Sequence, residues 1–360
     1  MTILWINLAI VFLFSFASRY FSQLYVSDSI VYSRPNKFLA ICVMACLFVI
    51  SGLRNGIGDT YFYKHAYNVT DFEWEYVKSM NEIGFGILQM ILKMYTEDPQ
   101  VLIFLVALVT NVLIVAVFYN YSKLFELSTY VYITGGTFLV SMNGLRQMLA
   151  AAICFIAIKY LLDQKFFKYT LIILLATTFH QSAFIMIPVY FLVRFKAWSK
   201  ATILILSFSV LVVIGYDIFA SLFFTALEHT KYGNYATFDE GGANMLRVAV
   251  NAAPLVIAYL GRDKLREVFP KSDYIVNMSI IGLLFMIIST QSWIFARVSL
   301  YFTLYQLILV SWIIEVFSKR DQKLVYYSIL FLYFLYYYYE NVISLNIIYK
   351  SDIIDSILLF

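Results

Sequence analysis

The stretch FLAICVMACLFVI (Phe38–Ile50) is a continuous apolar run, and SGLRNGIGDTYFYKHAY (Ser51–Tyr67) follows it directly. A continuous apolar run, as opposed to an alternating pattern, is typical of a helix in an apolar environment. The second stretch gathers charged side chains, three glycines and several aromatic rings within a few residues. This sudden change predicts that the chain leaves a membrane here and carries functional groups at its edge.

The composition extends this interpretation to the whole chain. The 360 residues are 62% hydrophobic and 13% charged, with a mean hydropathy of +0.79. Soluble domains carry about 25% charged residues, whereas a bilayer can cover this much apolar surface. The sequence therefore predicts an all-α polytopic transmembrane helix bundle, a single integral membrane domain over residues 1–360 with about 10–13 spans.

Several functional classes are not supported by the sequence. The basic residues form no clustered face, so we expect no nucleic-acid partner. Cys42, Cys46 and Cys154 lie in apolar runs without the spacing of a disulfide or metal site. The chain contains no nucleotide-binding, zinc-protease, hydrolase or redox motif, and the acidic residues around Asp71 and Glu82 lack metal-ligand spacing. We predict no metal and no cofactor.

The distribution of basic residues predicts the topology. The basic loops fall on one side, which marks the cytoplasm, only if 83–95 is a short re-entrant or interfacial helix and 168–193 crosses twice or turns back. The N-terminus is then outside, and the outer loops 54–100 and 225–245 are predicted to form the site, with the unusually long 225–245 as a lid or a solvated loop. The candidate spans are 3–22, 38–53, 101–120, 127–142, 145–162, 201–224, 246–260, 274–290, 298–317 and 324–339.

Arg146 and Gln147 begin an apolar helix in NGLRQMLAAA. A charged side chain in the membrane carries an energetic cost that something must offset. The positive end of the helix and the guanidinium together favour an anion, and arginine matches phosphate in bidentate geometry. The alternative to anion binding is that Arg146 forms a hydrogen bond to a neighbouring helix.

Two residues are candidates for acid–base chemistry. His180 lies in TTFHQSAF between apolar residues, where it is either catalytic or a satisfied core histidine. Asp59 is framed by Gly56 and Gly58, which allow close backbone approach to a ligand. The sequence does not choose between the two.

The remaining candidates are cations and aromatic residues at helix ends. The rings that follow Asp59, among them Tyr61 and Tyr63, suit stacking on sugars. Arg54 is either a ligand-binding group or an anchor at the membrane surface. Arg297, with Tyr301 one helical turn further on, and Arg247 after the 225–245 loop have the same two interpretations.

The order of the motifs resembles the EpsG family of bacterial exopolysaccharide proteins, which is related to Wzy-type O-antigen and capsule polymerases. The similarity covers about residues 50–305, and it is the order of the motifs, more than any single one, that is specific. The motifs are GLRNGIGDTYFYKHAY, EIGFGILQMIL, GLRQMLAAAICFIAIKYL, FHQSAFIMIPVYFL, KYGNY and RVSLYF.

The resemblance implies a multi-pass glycosyltransferase of the bacterial cytoplasmic membrane. Its substrates would be oligosaccharide repeat units on undecaprenyl diphosphate, joined on the outer face, and its expected partners a chain-length regulator and a flippase. The resemblance assigns the diphosphate to Arg54, Arg146 and Arg297, with Arg247 as a further match. We therefore expect the first three guanidinium groups to meet in one outer pocket, with Asp59 or His180 as the base.

Three other functions fit parts of the pattern. A flippase of lipid-linked oligosaccharide would need polar groups along a path to both faces. An O-antigen ligase would share the outer arginines and the histidine but transfer the finished chain to a lipid A core. A membrane acyltransferase would need its histidine at a channel for an acyl donor from inside, whereas His180 is predicted outside.

Overall fold

The computed structural model describes residues 1–27, 30–226 and 241–358. These residues fold into helices connected by short turns, which confirms the predicted all-α class. The helices are Thr2–Tyr20 (α1), Lys37–Gly52 (α2), Thr60–Val69 (α3), Trp74–Ser79 (α4), Ile83–Lys93 (α5), Pro99–Tyr121 (α6), Phe125–Thr134 (α7), Thr137–Asn143 (α8), Leu145–Ile156 (α9), Ile158–Leu162 (α10), Phe166–Phe179 (α11), Met186–Leu192 (α12), Lys200–Ile214 (α13), Tyr216–Ala226 (α14), Met245–Leu260 (α15), Arg262–Val268 (α16), Ser272–Ile288 (α17), Ile294–Trp312 (α18), Gln322–Tyr338 (α19) and Asp352–Leu358 (α20).

Short irregular elements connect some of these helices. Gln181–Ile185 and Ile313–Val316 are 3₁₀ turns, and Tyr339–Ser344 is a π-helical turn. One small antiparallel hairpin lies between α1 and α2, where the sequence predicts only a basic loop. Its strands are Gln23–Ser27 (β1) and Ile30–Arg34 (β2), with Gln23 opposite Arg34.

Local capping explains where two of the apolar helices begin. The Asn36 side chain accepts a hydrogen bond from the Leu39 N–H at 3.2 Å and so caps α2. Asp98 accepts from the Gln100 N–H at 2.9 Å, and Pro99 occupies the first turn of α6, where a missing N–H costs nothing. Gln100 Nε2 then donates to the Gly52 carbonyl at 2.5 Å, which places the start of α6 beside the end of α2.

The structure supports fewer full-length spans than the sequence predicts. Among the described residues, four helical stretches are long and apolar enough to cross a membrane, or six if each of two bent pairs counts as one span. Five further apolar helices of the described residues are 10–17 residues long, so the expected 10–13 spans stay a prediction. Many apolar helices are shorter than the roughly 20 residues that a span needs, and the predicted span 127–142 is broken by Gly135 and Gly136 between α7 and α8.

The two ambiguous stretches behave as the charge pattern predicts. In 168–193, the chain turns at His180 and α12 returns along α11, because the Tyr169 hydroxyl donates to the Met186 carbonyl at 2.9 Å. In 83–95, the eleven-residue α5 is too short to cross. The loop after it returns to the same end, since the Tyr67 hydroxyl of α3 donates to the Thr96 carbonyl at 2.9 Å.

The predicted cytoplasmic loops are joined by contacts at one end of the bundle. Arg194 Nη2 donates to Gln164 Oε1 at 3.1 Å, and Lys271 lies 3.6 Å from Asp163. Lys123 lies 4.0 Å from Glu315 beyond the end of α18. Arg297 lies near the start of α18, at its other end. A helix of 19 residues is about 28 Å long. Basic loops and candidate site therefore lie at opposite ends.

Helix α9 passes through the centre of the bundle. It contacts α6, α11 and α18, and Ala150, Ala151 and Ala152 are fully buried. Small side chains at such positions let neighbouring helices approach closely. The start of α9, with Arg146, is consequently held at a fixed place between several helices.

Candidate functional site

Arg146 stands where α8 ends and α9 begins. Its Nη1 donates to Glu82 Oε2 at 3.1 Å, and its Nε donates to the Tyr63 hydroxyl at 3.4 Å. The guanidinium also lies 5.7 Å from the ring centres of Tyr63 and Phe85, within cation–π range. The side chain of Arg146 is 37% exposed, whereas that of Glu82 is 8% exposed. The buried carboxylate therefore fixes the guanidinium while part of the arginine side chain stays accessible.

Glu82 is positioned by the close packing of α5 on α11. It directly precedes α5, and a Cβ atom at Gly84 would lie 2.3 Å from Thr178 Oγ1 near the end of α11. Only glycine permits this approach. The approach brings Glu82 Oε1 to 3.9 Å from His180 Nδ1, a distance at which the carboxylate stabilises a protonated imidazole.

A chain of polar side chains continues beyond His180. Ser182 Oγ lies 3.4 Å from His180 Nδ1 and 2.8 Å from the hydroxyl of Tyr301, which is fully buried on α18. The connected groups therefore run from Arg146 through Glu82 and His180 to Tyr301. They come from four separate parts of the chain, and they make up the polar core of the site.

A cavity of about 440 Å³ lies in front of Arg146. Its lining combines the charged side chains of Asp59 and Arg146 with the rings of Phe62, Tyr63 and Phe85. Cavities of this volume accommodate small ligands. Carboxylate, guanidinium and aromatic faces together suit a saccharide attached to an anionic group.

Asp59 reaches the cavity because of a turn that requires glycine. Gly58 has φ +54°, and a Cβ atom there would lie 2.1 Å from Asn143 Oδ1. The same Asn143 oxygen accepts a hydrogen bond from the Asp59 N–H at 3.0 Å. The first outer loop is thus attached to the end of α8, one residue before the break that leads to Arg146.

Arg54 is fully buried, unlike the exposed ligand-binding group that the sequence suggests. Its Nε donates to Thr60 Oγ1 at 3.0 Å, its Nη2 to the Met142 carbonyl at 2.7 Å and its Nη1 to the Ser51 carbonyl. Burial lowers the pKa of Arg54 to about 9, so the group stays charged at neutral pH. Arg54 therefore joins the first outer loop to α8 and positions the cavity wall.

Arg54→Ala is expected to lower the free energy of unfolding by about 2–5 kcal/mol, because it leaves buried acceptors without a donor. Arg54→Lys should fall between wild type and Arg54→Ala, since one ammonium group cannot reach the three acceptors together. Thermal unfolding in detergent measures this. Arg320→Ala, at an exposed arginine of the opposite end, is the control and should shift stability by less than about 0.5 kcal/mol. Unchanged unfolding of Arg54→Ala would contradict the positioning role.

The other predicted site residues do not line the cavity: His180, Tyr301, Gln147, Arg297, Arg247 and Tyr61. Gln147 is buried, and its Nε2 donates to the Arg297 carbonyl at 2.8 Å. Arg297 stacks over Trp293 at 4.4 Å. Arg247 is paired with buried Glu340, with Nε 2.6 Å from Oε1, and exposed Tyr61 stacks on His65.

The expected meeting of three arginines is thus not what the structure shows. Arg146 lines the cavity, and Arg54 is buried behind its wall. Arg297 contacts Gln147, the residue after Arg146, through its backbone carbonyl. Each of the three guanidinium groups contacts other residues of the protein. A sequence pattern of arginines at helix ends does not reveal these contacts. Most of the predicted lid, 227–240 with its KYGNY motif, lies outside the described residues.

Sequence reasoning missed Glu82 and Ser182 as site residues. The sequence presents Glu82 only as one of several acidic residues without metal-ligand spacing. Its partner Arg146 is 64 positions away in the sequence, and Ser182 is 119 positions from Tyr301. The available signal was an acidic residue directly before a short apolar helix, where a carboxylate costs energy unless it is paired.

Comparison with known proteins identifies a family. The model of the EpsG family matches residues 37–351. No curated protein and no solved structure matches the chain. The matched range includes Glu82, Arg146, His180 and Tyr301, and therefore the whole polar core of the site.

Proposed function

Since the chain belongs to the EpsG family, a family of Wzy-like polysaccharide polymerases and exopolysaccharide biosynthesis proteins, we propose that it is a polysaccharide polymerase of the bacterial cytoplasmic membrane. It joins oligosaccharide repeat units carried on undecaprenyl diphosphate at the outer face. The observation that carries this proposal is the Arg146–Glu82–His180 arrangement beside an aromatic cavity, at the bundle end opposite the basic loops.

The reaction needs a group that stabilises negative charge on the leaving diphosphate. Arg146 fits this role because its guanidinium faces the cavity while Glu82 fixes its orientation. Fixed donors aimed at developing charge are among the largest contributions to catalysis. A permanently charged arginine also supplies this stabilisation without a proton transfer.

The reaction also needs a base for the acceptor hydroxyl. In the proposed step, the acceptor oxygen attacks the anomeric carbon of the donor sugar and the bond from that carbon to the diphosphate breaks. The diphosphate leaves with the bonding electrons, and the hydroxyl proton moves to His180. Glu82 at 3.9 Å from Nδ1 stabilises the imidazolium that results. Asp59 and the aromatic rings hold the sugars.

The lipid carrier needs an apolar surface next to the reacting groups. A cavity of about 420 Å³ begins at Ile185, three residues after Ser182, and runs between α12, α13 and α17. Its lining is apolar and includes Leu192, Phe208 and Leu284. We propose that the polyprenyl tail lies here, with its diphosphate toward Arg146. A chain-length regulator and a flippase are the partners that this activity would require.

Reconstituted protein tests the proposal directly. The purified full chain in proteoliposomes receives synthetic undecaprenyl-diphosphate-linked repeat units, and the products are separated by length and identified by mass spectrometry. We expect lipid-linked chains of two or more units without any other acceptor.

Two outcomes of this experiment would contradict the proposed polymerase activity. Movement of single units across the bilayer without lengthening would identify a flippase. Transfer that occurs only after a lipid A core is added would identify a ligase. The His180→Ala protein serves as the control, because it should bind lipid-linked substrate but lengthen chains about 10²–10⁴-fold more slowly.

A further inference from the structure

A second cavity lies at the end of the bundle that carries the basic loops. It has a volume of about 670 Å³ and is formed by the end of α1, the 3₁₀ turn after α18 and the start of α19. Arg19, Lys319 and Lys323 provide cationic groups in its lining, and Phe16, Tyr20 and Tyr327 provide aromatic rings. None of these residues belongs to the site described above, which lies at the opposite end of α18.

The charges of this cavity leave it basic. Arg19 pairs with buried Glu126 at 3.0 Å while half of its side chain remains exposed. Glu315 is shared between Lys319 at 3.4 Å and Lys123 at 4.0 Å. Lys323 is exposed and forms no ion pair with any residue in the described ranges. The lining itself holds three cations, Arg19, Lys319 and Lys323, and one carboxylate, Glu315, so the cavity has an excess of positive charge.

The surroundings identify the class of anion. Basic loops mark the cytoplasmic side, and tyrosine rings at helix ends are typical of the level of the lipid headgroups. Basic pockets between helices on that side bind anionic lipid headgroups. We propose that this cavity binds the phosphate headgroup of an anionic phospholipid of the inner leaflet, with Lys319 and Lys323 on the phosphate and the tyrosine rings beside the glycerol region.

Phosphate binding to lysines is shared by lipid headgroups and free phosphate, but the structure favours the lipid. The rings of Phe16, Tyr20 and Tyr327 give the cavity an apolar part that free phosphate would not use. The proposal does not depend on the polymerase activity. Its test therefore measures binding and not turnover.

Native mass spectrometry of the full chain in a neutral detergent measures the affinity for phosphatidylglycerol. The variant carries both Lys319→Gln and Lys323→Gln. Arg19 is kept, because removing it would leave Glu126 buried and unpaired. Each lysine near a lipid surface contributes about 1 kcal/mol, so the double variant should bind about thirtyfold more weakly. The matched control is Lys200→Gln with Lys264→Gln, two exposed lysines at the same end but outside the cavity.

The result is decided by three comparisons. Weaker binding of phosphatidylglycerol in the cavity variant, with the control variant equal to wild type, supports the proposal. Equal affinities of all three proteins overturn it, as does an equal loss in both variants, which would show general attraction to a basic surface. Binding of phosphatidylcholine as tight as phosphatidylglycerol, or complete displacement by millimolar inorganic phosphate, would also overturn the lipid assignment.

Discussion

Arg146→Ala is expected to reduce the rate of chain lengthening about 10²–10³-fold, which corresponds to about 2.7–4 kcal/mol of lost transition-state stabilisation. The reason is that Arg146 is the arginine that lines the aromatic cavity, while Arg54 is buried behind the cavity wall. The measurement is the rate of polymer formation by purified protein in proteoliposomes, together with polysaccharide ladders from cells.

Arg146→Lys separates charge from geometry. Lysine keeps a positive partner for Glu82, so the variant should fold like wild type, but it lacks the planar fork that matches a diphosphate. We expect at least a tenfold lower rate with normal thermal stability. Arg262→Ala, at a half-buried arginine of the opposite end, is the matched control and should lengthen chains normally. Normal chain lengthening by both Arg146 variants would remove this residue from the mechanism.

Glu82→Gln and His180→Ala are expected to lower the rate by similar amounts, about 10²–10⁴-fold each, because general base catalysis contributes an effect of this size. Glu82 acts on His180 and also orients Arg146, so the double variant should be slower than His180→Ala alone, but by less than the product of the two single losses. The rates of chain lengthening by the two single variants and the double variant give the coupling free energy between Glu82 and His180. Rate losses that multiply in the double variant would show that Glu82 and His180 act independently.

Two further variants make this test specific. Glu97→Gln removes a carboxylate of the same outer loop, one paired with Lys93 at 2.5 Å and 78% exposed, and should leave the rate unchanged. Asp59→Asn should raise KM for the lipid-linked sugar more than it lowers kcat, because Asp59 lines the cavity but lies outside the Glu82–His180 pair. A loss of kcat confined to Asp59→Asn would instead make Asp59 the base.

Sequence reasoning predicted the parts of this fold that depend on local chemistry. Apolar runs and basic loops are properties of neighbouring residues, and they sufficed to predict the turn at His180 and the short helix over 83–95. They also placed Arg146 at the start of a helix on the side opposite the basic loops. The break in the predicted span 127–142 could not be predicted in this way, because apolar character alone does not show where helices such as α7 and α8 end.

The partners of the charged residues could not be predicted in the same way. Arg54 donates to a carbonyl 88 positions away, at Met142, and this contact decides that the arginine is buried. Glu82 becomes part of the site only because Gly84 lets α5 approach α11. Such pairings depend on packing between helices distant in sequence, and a single sequence without comparison carries no direct signal for them.

The segment between α2 and α6 leaves the bundle and re-enters it at nearly the same point, since Gln100 donates to the carbonyl of Gly52. It brings Asp59, Tyr63 and Glu82 to the cavity without contributing a membrane crossing of its own. Because Glu82 of this segment contacts Arg146 and His180 of the bundle, the segment and the bundle have to stay matched for the site to remain assembled.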